Sequence, residues 1–311
     1  MSEPDGVQAA VSVTGGSGQV DTPRGRISFG RRGEGPAVVL LHPLALAGNV
    51  WDEVGERLCA QFTVISPDAR GHGRSSWDGA PFSITDLAGD LDALLDALGI
   101  DTAHLVGMSM GGGIAMTYAA LHPERVGRMV LADTTAWYGA NAVEVWEERA
   151  RRAVLTPRVR QVPFQADRWF TETFRAKQPT QLQRVVRTFL ATDSRAHAEA
   201  SRAMGGLDAR ELLPAVSAPT LVLTGVEDYA TPPEMGHYLA DHVQNGKAVI
   251  LPALRHLSLI ERPDLADAVR EHLQGEPEAA LAAFAANMAT AARRTVCLCR
   301  GVASPGTEEV A

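Results

Sequence analysis

Apolar and polar positions along this chain follow two alternating rhythms. Ala37-Val38-Val39-Leu40-Leu41 is a continuous apolar run after the turn Gly33-Glu34-Gly35-Pro36. A strand buried on both faces reads this way, and such strands belong to parallel sheets. Residues 50–59 then suit a helix and 62–66 a strand. Over 85–98, Leu87, Leu91, Leu94, Leu95 and Leu98 recur at helical spacing, with Gly99 as a stop. Residues 103–106 predict a strand, 111–121 a helix and 128–132 a strand. Further on, 220–224, 233–241, 248–251 and 263–273 read as strand, helix, strand and helix. Strands alternating with helices predict an α/β fold, a mostly parallel sheet covered on both faces.

One stretch breaks the rhythm. Between 134 and 213 no buried strand is evident, and the residues are helix formers, arginines and aromatics such as Trp137, Trp146, Trp169 and Phe189. This predicts a helical lid inserted in the core, with ordinary crossover helices as the alternative. Residues 1–25 read as a flexible leader, with Gly15-Gly16-Ser17-Gly18 linker-like and at most a short strand at 8–13. Residues 27–29 suit an edge strand. After Gly275 the composition turns to alanine. Residues 276–311 are expected to be a poorly ordered tail, in which 278–292 is a marginal helix. The predicted division is a leader at 1–25, a core at 26–133 and 214–275, a lid at 134–213 and a tail at 276–311.

Composition narrows the function. The 311 residues hold 29 basic and 37 acidic side chains, a net charge of −8. Nucleic acid calls for a clustered positive surface, so it is not an expected partner. No apolar run approaches the roughly 20 residues of a membrane span. The first residues have neither a basic start nor an apolar stretch, so no secretory signal is expected. Three cysteines, Cys59, Cys297 and Cys299, form no disulfide framework and fit a reducing cytoplasm. Cys297-Leu298-Cys299 has no second Cys/His cluster nearby to complete a metal site.

The strongest chemical signal is Gly107-Met108-Ser109-Met110-Gly111, placed between a buried strand and a helix. In that setting Gly-x-Ser-x-Gly describes a nucleophile elbow, a turn too tight for side chains at its flanks. The turn lifts Ser109 above the carboxyl end of the sheet, at a helix N-terminus that favours developing negative charge. A serine hydroxyl needs a base, and the base an orienting acid. His256, in the loop after the strand ending at Leu251, is the best base, with His42 and His72 as rivals in other such loops. His104 reads as structural. His122, His197, His237, His242 and His272 read as surface helix residues. For the acid, Asp228 ends a buried strand, with Asp133 and Glu227 as rivals. Two backbone donors for an oxyanion are expected from Met110 and Leu44, since Pro43 has no N–H. The lid arginines Arg149, Arg151, Arg152, Arg168 and Arg175 are expected to be solvated, with a substrate carboxylate as an alternative partner for one of them. No H-E-x-x-H, no G-x-x-x-x-G-K-[ST] and no strand-linked G-x-G-x-x-G occurs, so no metal or other cofactor is expected.

These residues resemble the α/β-hydrolase superfamily over about 26–275. Asp68-Ala69-Arg70-Gly71-His72-Gly73-Arg74-Ser75 is similar to its D-x-R-G-x-G-x-S loop. Residues 219–228 are similar to the strand and loop that carry its acid, and His256-Leu257-Ser258 to its histidine loop. By that resemblance the triad is Ser109, Asp228 and His256. Within the superfamily the chain most resembles 3-oxoadipate enol-lactonases. The residues that carry this are His122-Pro123-Glu124-Arg125-Val126, Thr135-Ala136-Trp137, Arg168-Trp169-Phe170-Thr171 and Phe189-Leu190-Ala191-Thr192-Asp193. The resemblance implies hydrolysis of a small carboxylate-bearing enol-lactone in aromatic acid catabolism, with Trp137 near the substrate. His42-Pro43-Leu44 departs from the lactonase oxyanion loop. A broad carboxylesterase, another lactonase, a C–C hydrolase of ring-fission products and a non-catalytic binding protein remain alternatives. Dehalogenases and epoxide hydrolases carry aspartate where this chain has Ser109.

Overall fold

The computed structural model describes residues 11–287, apart from positions 15, 23, 278 and 285. Strands β1 (Val11–Thr14), β2 (Ser17–Thr22), β3 (Gly25–Arg32), β4 (Ala37–Leu41), β5 (Thr63–Pro67), β6 (Ala103–Met108), β7 (Val126–Ala132), β8 (Thr220–Gly225) and β9 (Gly246–Leu251) form one sheet. The order is β1-β2-β3-β5-β4-β6-β7-β8-β9. The first three strands are antiparallel to their neighbours, and β5 through β9 pair in parallel. The apolar runs are the central strands: Val38, Val39, Leu40, Leu105, Val106, Val130 and Leu131 are fully buried.

The connections fix which face each helix covers. From β4 the chain steps one way to β5 through α1 (Asp52–Leu58). It then reverses, through α2 (Ile84–Ala97) to β6, α3 (Met110–Leu121) to β7, and α9 (Pro233–His242) from β8 to β9. Right-handed crossovers require the reversal to place α1 on one face and α2, α3 and α9 on the other. The last core helix, α11 (Ala266–Gln274), packs against α1. The strand order turns back between β4 and β6, and open α/β sheets build their sites at the carboxyl ends of such a pair.

Five helices lie between β7 and β8: α4 (Ala142–Leu155), α5 (Arg158–Trp169), α6 (Glu172–Lys177), α7 (Pro179–Ala191) and α8 (Ser194–Gly205). Their mutual contacts, α4 with α8 and α5 with α7, make them a layer of their own above the sheet. A short helix, α10 (Ser258–Glu261), opens the segment that follows β9.

Both ends differ from the sequence expectation. Within the expected leader, β1 and β2 extend the sheet, so residues 27–29 belong to an inner strand. Gly16, at φ 82°, turns a hairpin, and Val20 is fully buried. The glycine and serine that read as a linker are turn chemistry. Beyond Gly275, residues 279–284 are helical and Leu281 and Phe284 are buried, with the Arg262 guanidinium over the Phe284 ring. This part of the expected tail is docked. Cys297 and Cys299 lie outside the described residues. No helix among the described residues is long and apolar enough to cross a membrane.

Candidate active site

Strand β6 ends in a turn that only small residues permit. A Cβ at Gly107 would lie 2.3 Å from the Gly111 carbonyl oxygen, and one at Gly111 would lie 2.1 Å from that of Leu41. Between them Ser109 is held at φ 54°, ψ −115°, a conformation rare for a residue with a side chain. Its backbone is tied on both sides. Its N–H donates to the Ala132 carbonyl at 2.9 Å, and its carbonyl accepts from Gly112 N–H and the Thr134 hydroxyl.

Two loops from the far side of the sheet complete a chain of hydrogen bonds. His256 Nε2 is 2.9 Å from Ser109 Oγ, and His256 Nδ1 is 2.8 Å from Asp228 Oδ2. An ionised Asp228 only accepts, which puts the imidazole proton on Nδ1 and leaves Nε2 to accept from the serine. Asp228 also accepts from the N–H groups of Ala230 and Thr231 and from the Thr231 hydroxyl. Burial pushes its carboxyl up, but His256 and these hydrogen bonds outweigh that and hold it below the ordinary range. Burial lowers the His256 pKa. Asp228 opposes this, while Arg168 and Arg149 add to it, so the resting imidazole is neutral.

The rivals fall elsewhere. Asp133 is fully buried and accepts from the N–H groups of Gly225 and Ser258, tying the β7 and β8 ends to the histidine loop. Burial, and then the nearby Asp228 charge, raise its pKa well above the carboxylate range. Glu227 pairs with Arg255 at 3.6 Å. His42 donates from Nδ1 to the Pro43 carbonyl and accepts the Ala69 N–H at Nε2. His72 donates to the Arg70 carbonyl and accepts the Ala45 N–H. Each therefore binds the other's loop. Burial lowers His42 to about 4, and burial with the His42 charge lowers His72 to about 3. Two histidines expected on the surface are buried: His272, which bonds the Pro219 carbonyl, and His197.

Leu44 lies beside Ser109 in the wall of a narrow cavity of about 20 Å³. Among the described residues no acceptor takes the N–H of Leu44 or Met110. The lid supplies Trp146, Arg149, Gln165, Arg168, Trp169 and His197 to this cavity. Trp137 does not line it. A turn closed by the Thr135 hydroxyl directs Trp137 to a bridge with Asp208, where the Arg210 guanidinium stacks on its ring at 3.8 Å. Among the lid arginines, Arg151, Arg152 and Arg175 pair with Glu147, Glu148 and Asp167. Arg168 is 7% exposed, contrary to the expectation of a solvated charge. Arg149 and Arg168 stood out in the sequence only as members of an arginine-rich stretch, and which face of each helix looks inward was not legible there.

One stretch of the lid, 167–171, is bound to the histidine loop and the helix after it at three points. Arg255 donates to the Asp167 carboxylate, Leu257 N–H to the Trp169 carbonyl, and the Thr171 hydroxyl to the buried Glu261 carboxylate. Among the described residues no group of His, Cys, Asp and Glu has the arrangement of a metal site.

A family model described as alpha/beta hydrolase fold matches residues 36–263. A 3-oxoadipate enol-lactonase of Acinetobacter baylyi is 31% identical over 231 residues, covering 73% of this chain and 84% of its own. The crystal structure of the enol-lactonase from Burkholderia xenovorans superposes with a TM-score of 0.77 at 31% identity, over 80% of this chain and 97% of that one. A thermophilic esterase from Thermogutta terrifontis gives 0.76 at 30% identity, over 86% and 98%. Its matched length, its sheet order and the serine turn at the reversal of that sheet place this chain in the α/β-hydrolase family.

Proposed function

We propose that the protein is a serine hydrolase of small carboxylic esters or lactones, acting as a 3-oxoadipate enol-lactonase-like enzyme. The observation that carries this reading is the unbroken chain from Ser109 Oγ through His256 to Asp228, with short distances at both links. His256 takes the Ser109 proton as Oγ attacks the carbonyl carbon. Asp228 stabilises the imidazolium that forms. The N–H groups of Met110 and Leu44 receive the oxyanion, and losing one such donor typically costs about 10²–10³ in rate. His256 then returns the proton to the leaving oxygen, which for a lactone stays attached to the acyl chain. Water activated by the same imidazole releases the acid.

A cavity of about 20 Å³ holds little more than one water. Substrate binding therefore displaces lid side chains. The outer face of the same wall is a groove of about 330 Å³, sharing Arg149, Gln165 and His197 with the inner cavity. A catabolic lactone as substrate is part of this reading and rests on the likeness to the lactonases, and reaction in the cytoplasm rests on the three cysteines. A broader carboxylesterase is the second reading, favoured by the likeness to the Thermogutta esterase.

The test is labelling with a fluorophosphonate, together with turnover of an enol-lactone and of p-nitrophenyl acetate. Stoichiometric labelling that vanishes in Ser109→Ala, with loss of turnover, is expected. Undiminished hydrolysis by that variant would sink the mechanism. Faster turnover of the simple ester than of the lactone would favour the esterase.

A further inference from the structure

Three lid helices fix the tautomer of a histidine that the mechanism above does not use. His197, in α8, is 4% exposed and lines the cavity that holds Ser109 and His256. Arg158 stands at the start of α5, its guanidinium 4.0 Å from the centre of the Phe189 ring. Its Nε and Nη2 donate to the Phe189 carbonyl near the end of α7, and its Nη1 lies 3.1 Å from His197 Nδ1. A guanidinium has no lone pair to offer, so Nδ1 is the acceptor and the ring proton sits on Nε2. The Phe189 ring meets the imidazole edge-on at 6.0 Å and keeps it from turning over. Burial, and then the Arg158 charge, hold the His197 pKa well below its ordinary value, so the ring stays neutral. Among the described residues the Nε2–H has no acceptor. The same ring also borders the outer groove of about 330 Å³, so it stands in the wall between that groove and Ser109. A buried N–H held in one orientation and left unpaired is costly, and sites that read a substrate oxygen are built this way.

We infer that His197 contacts the substrate, its Nε2–H donating to a second, uncharged carbonyl oxygen in the acyl part of the ester or lactone. This rests on the serine-hydrolase reading and extends it to substrate class: an acyl chain with a ketone or similar oxygen beyond the carbonyl that Ser109 attacks. The donor is neutral, so it needs no anion to balance it. Arg158 excludes the tautomer that would turn a lone pair to the substrate. Arg158 itself touches no substrate in this arrangement and is a positioning residue. A substrate without the second oxygen leaves the N–H dry and unpaired, and is discriminated against by the cost of that loss.

The experiment compares p-nitrophenyl levulinate, whose acyl chain carries a ketone, with p-nitrophenyl valerate, its near-isostere without one, on the full chain. Each kcat/KM is divided by the rate of uncatalysed hydrolysis. Wild type is expected to favour the keto ester by at least about 10-fold. His197→Phe keeps an aromatic ring and removes the donor, and should cut that ratio by about 10- to 100-fold. His197→Gln, whose amide can donate, should restore part of it. Arg158→Met releases Nδ1 and should lower the ratio as well. Nitrogen NMR of wild type carrying isotope-labelled histidine, with His197 assigned from the His197→Gln spectrum, reads the tautomer and decides the matter where His197→Phe fails to fold. A neutral ring protonated on Nε2 is expected. A ring protonated on Nδ1 would overturn the donor. So would equal ratios in wild type and His197→Phe with Ser109 still labelled by a fluorophosphonate, and that result leaves the hydrolase reading intact. If Ser109 is not labelled and neither ester turns over, the hydrolase reading fails. The donor is then decided by titrating methyl levulinate into the labelled protein. A saturable shift of the His197 Nε2 signal supports it, and no shift refutes it.

Discussion

The loop that presents the Leu44 amide should make this protein sensitive to acid through two buried histidines. His42 and His72 are 2% and 1% exposed, and each accepts a backbone N–H that an imidazolium could not accept. Their pKa values fall from an ordinary 6.5 to about 4 and about 3, chiefly through burial. The folded form thus binds fewer protons than the unfolded form between these values and 6.5. Their contribution is fully present above pH 6.5 and is lost as pH falls through 6.5 toward 4 and 3. Each loses about 1.4 kcal/mol per pH unit inside that window, so each removes about 2 kcal/mol between pH 7 and pH 5, about 4 kcal/mol for the pair. Glutamine keeps an acceptor for the N–H but cannot take up a proton. His42→Gln/His72→Gln should therefore be less stable than wild type at pH 7, yet lose about 4 kcal/mol less than wild type does on going to pH 5. Urea unfolding at both pH values reads this directly. An equal loss in the double variant and in wild type would refute the assignment of acid lability to these two rings.

Asp228→Asn should lower kcat by about 10⁴-fold with the fold intact, as expected for loss of the group that orients an imidazole. Asp133→Asn should do the reverse. An amide cannot accept both N–H bonds, so about 1–3 kcal/mol of stability goes while Ser109 remains reactive, checked by thermal melts and labelling. Gly111→Ala should lose both stability and labelling, because its Cβ would meet the Leu41 carbonyl oxygen at 2.1 Å and push the turn off the strand. The acid limb of kcat/KM should fall below pH 6.5, since the base must be unprotonated and His256 is shifted down. A limb above pH 7 with a neutral ester would contradict that shift.

The centre of the sheet was readable because its strands are buried on both faces, so that 37–41 and 220–224 stand out as short apolar runs bounded by turns. Ser109 was readable because a glycine is needed at 107 and 111 for steric reasons that any sequence must obey. The choice of Asp228 over Asp133 was harder. Both end parallel strands, and only the loop geometry shows that one carboxylate meets an imidazole while the other meets two backbone amides. Of the hairpin at 11–22 only a short strand at 8–13 was legible; the second strand, 17–22, has Val20 as its one hydrophobic residue and so shows no period of two. The surroundings of Trp137 were not legible either: a ring at the start of a lid carries no mark of the direction in which its turn sends it.

The arginines show most sharply what sequence periodicity leaves out. Arg149 and Arg152 stand three apart on one helix, in the same run of charge, yet Arg152 is exposed and paired with Glu148 while Arg149 lines the cavity with Ser109. The difference arises from Trp146, one turn before Arg149, whose buried ring carries that guanidinium inward. Arg168 is drawn in by the next residue, Trp169, whose carbonyl is bound by Leu257 of the histidine loop. The same bonds that hold the lid to the loop of His256 thus set how close a cation lies to the base. A change that loosens them, such as Asp167→Ala with its loss of the Arg255 and Arg175 bonds, is expected to move the acid limb of kcat/KM to higher pH, because Arg168 then opposes the His256 charge less. Reduced turnover with an unmoved limb would place the lid contacts in the support of His256 alone.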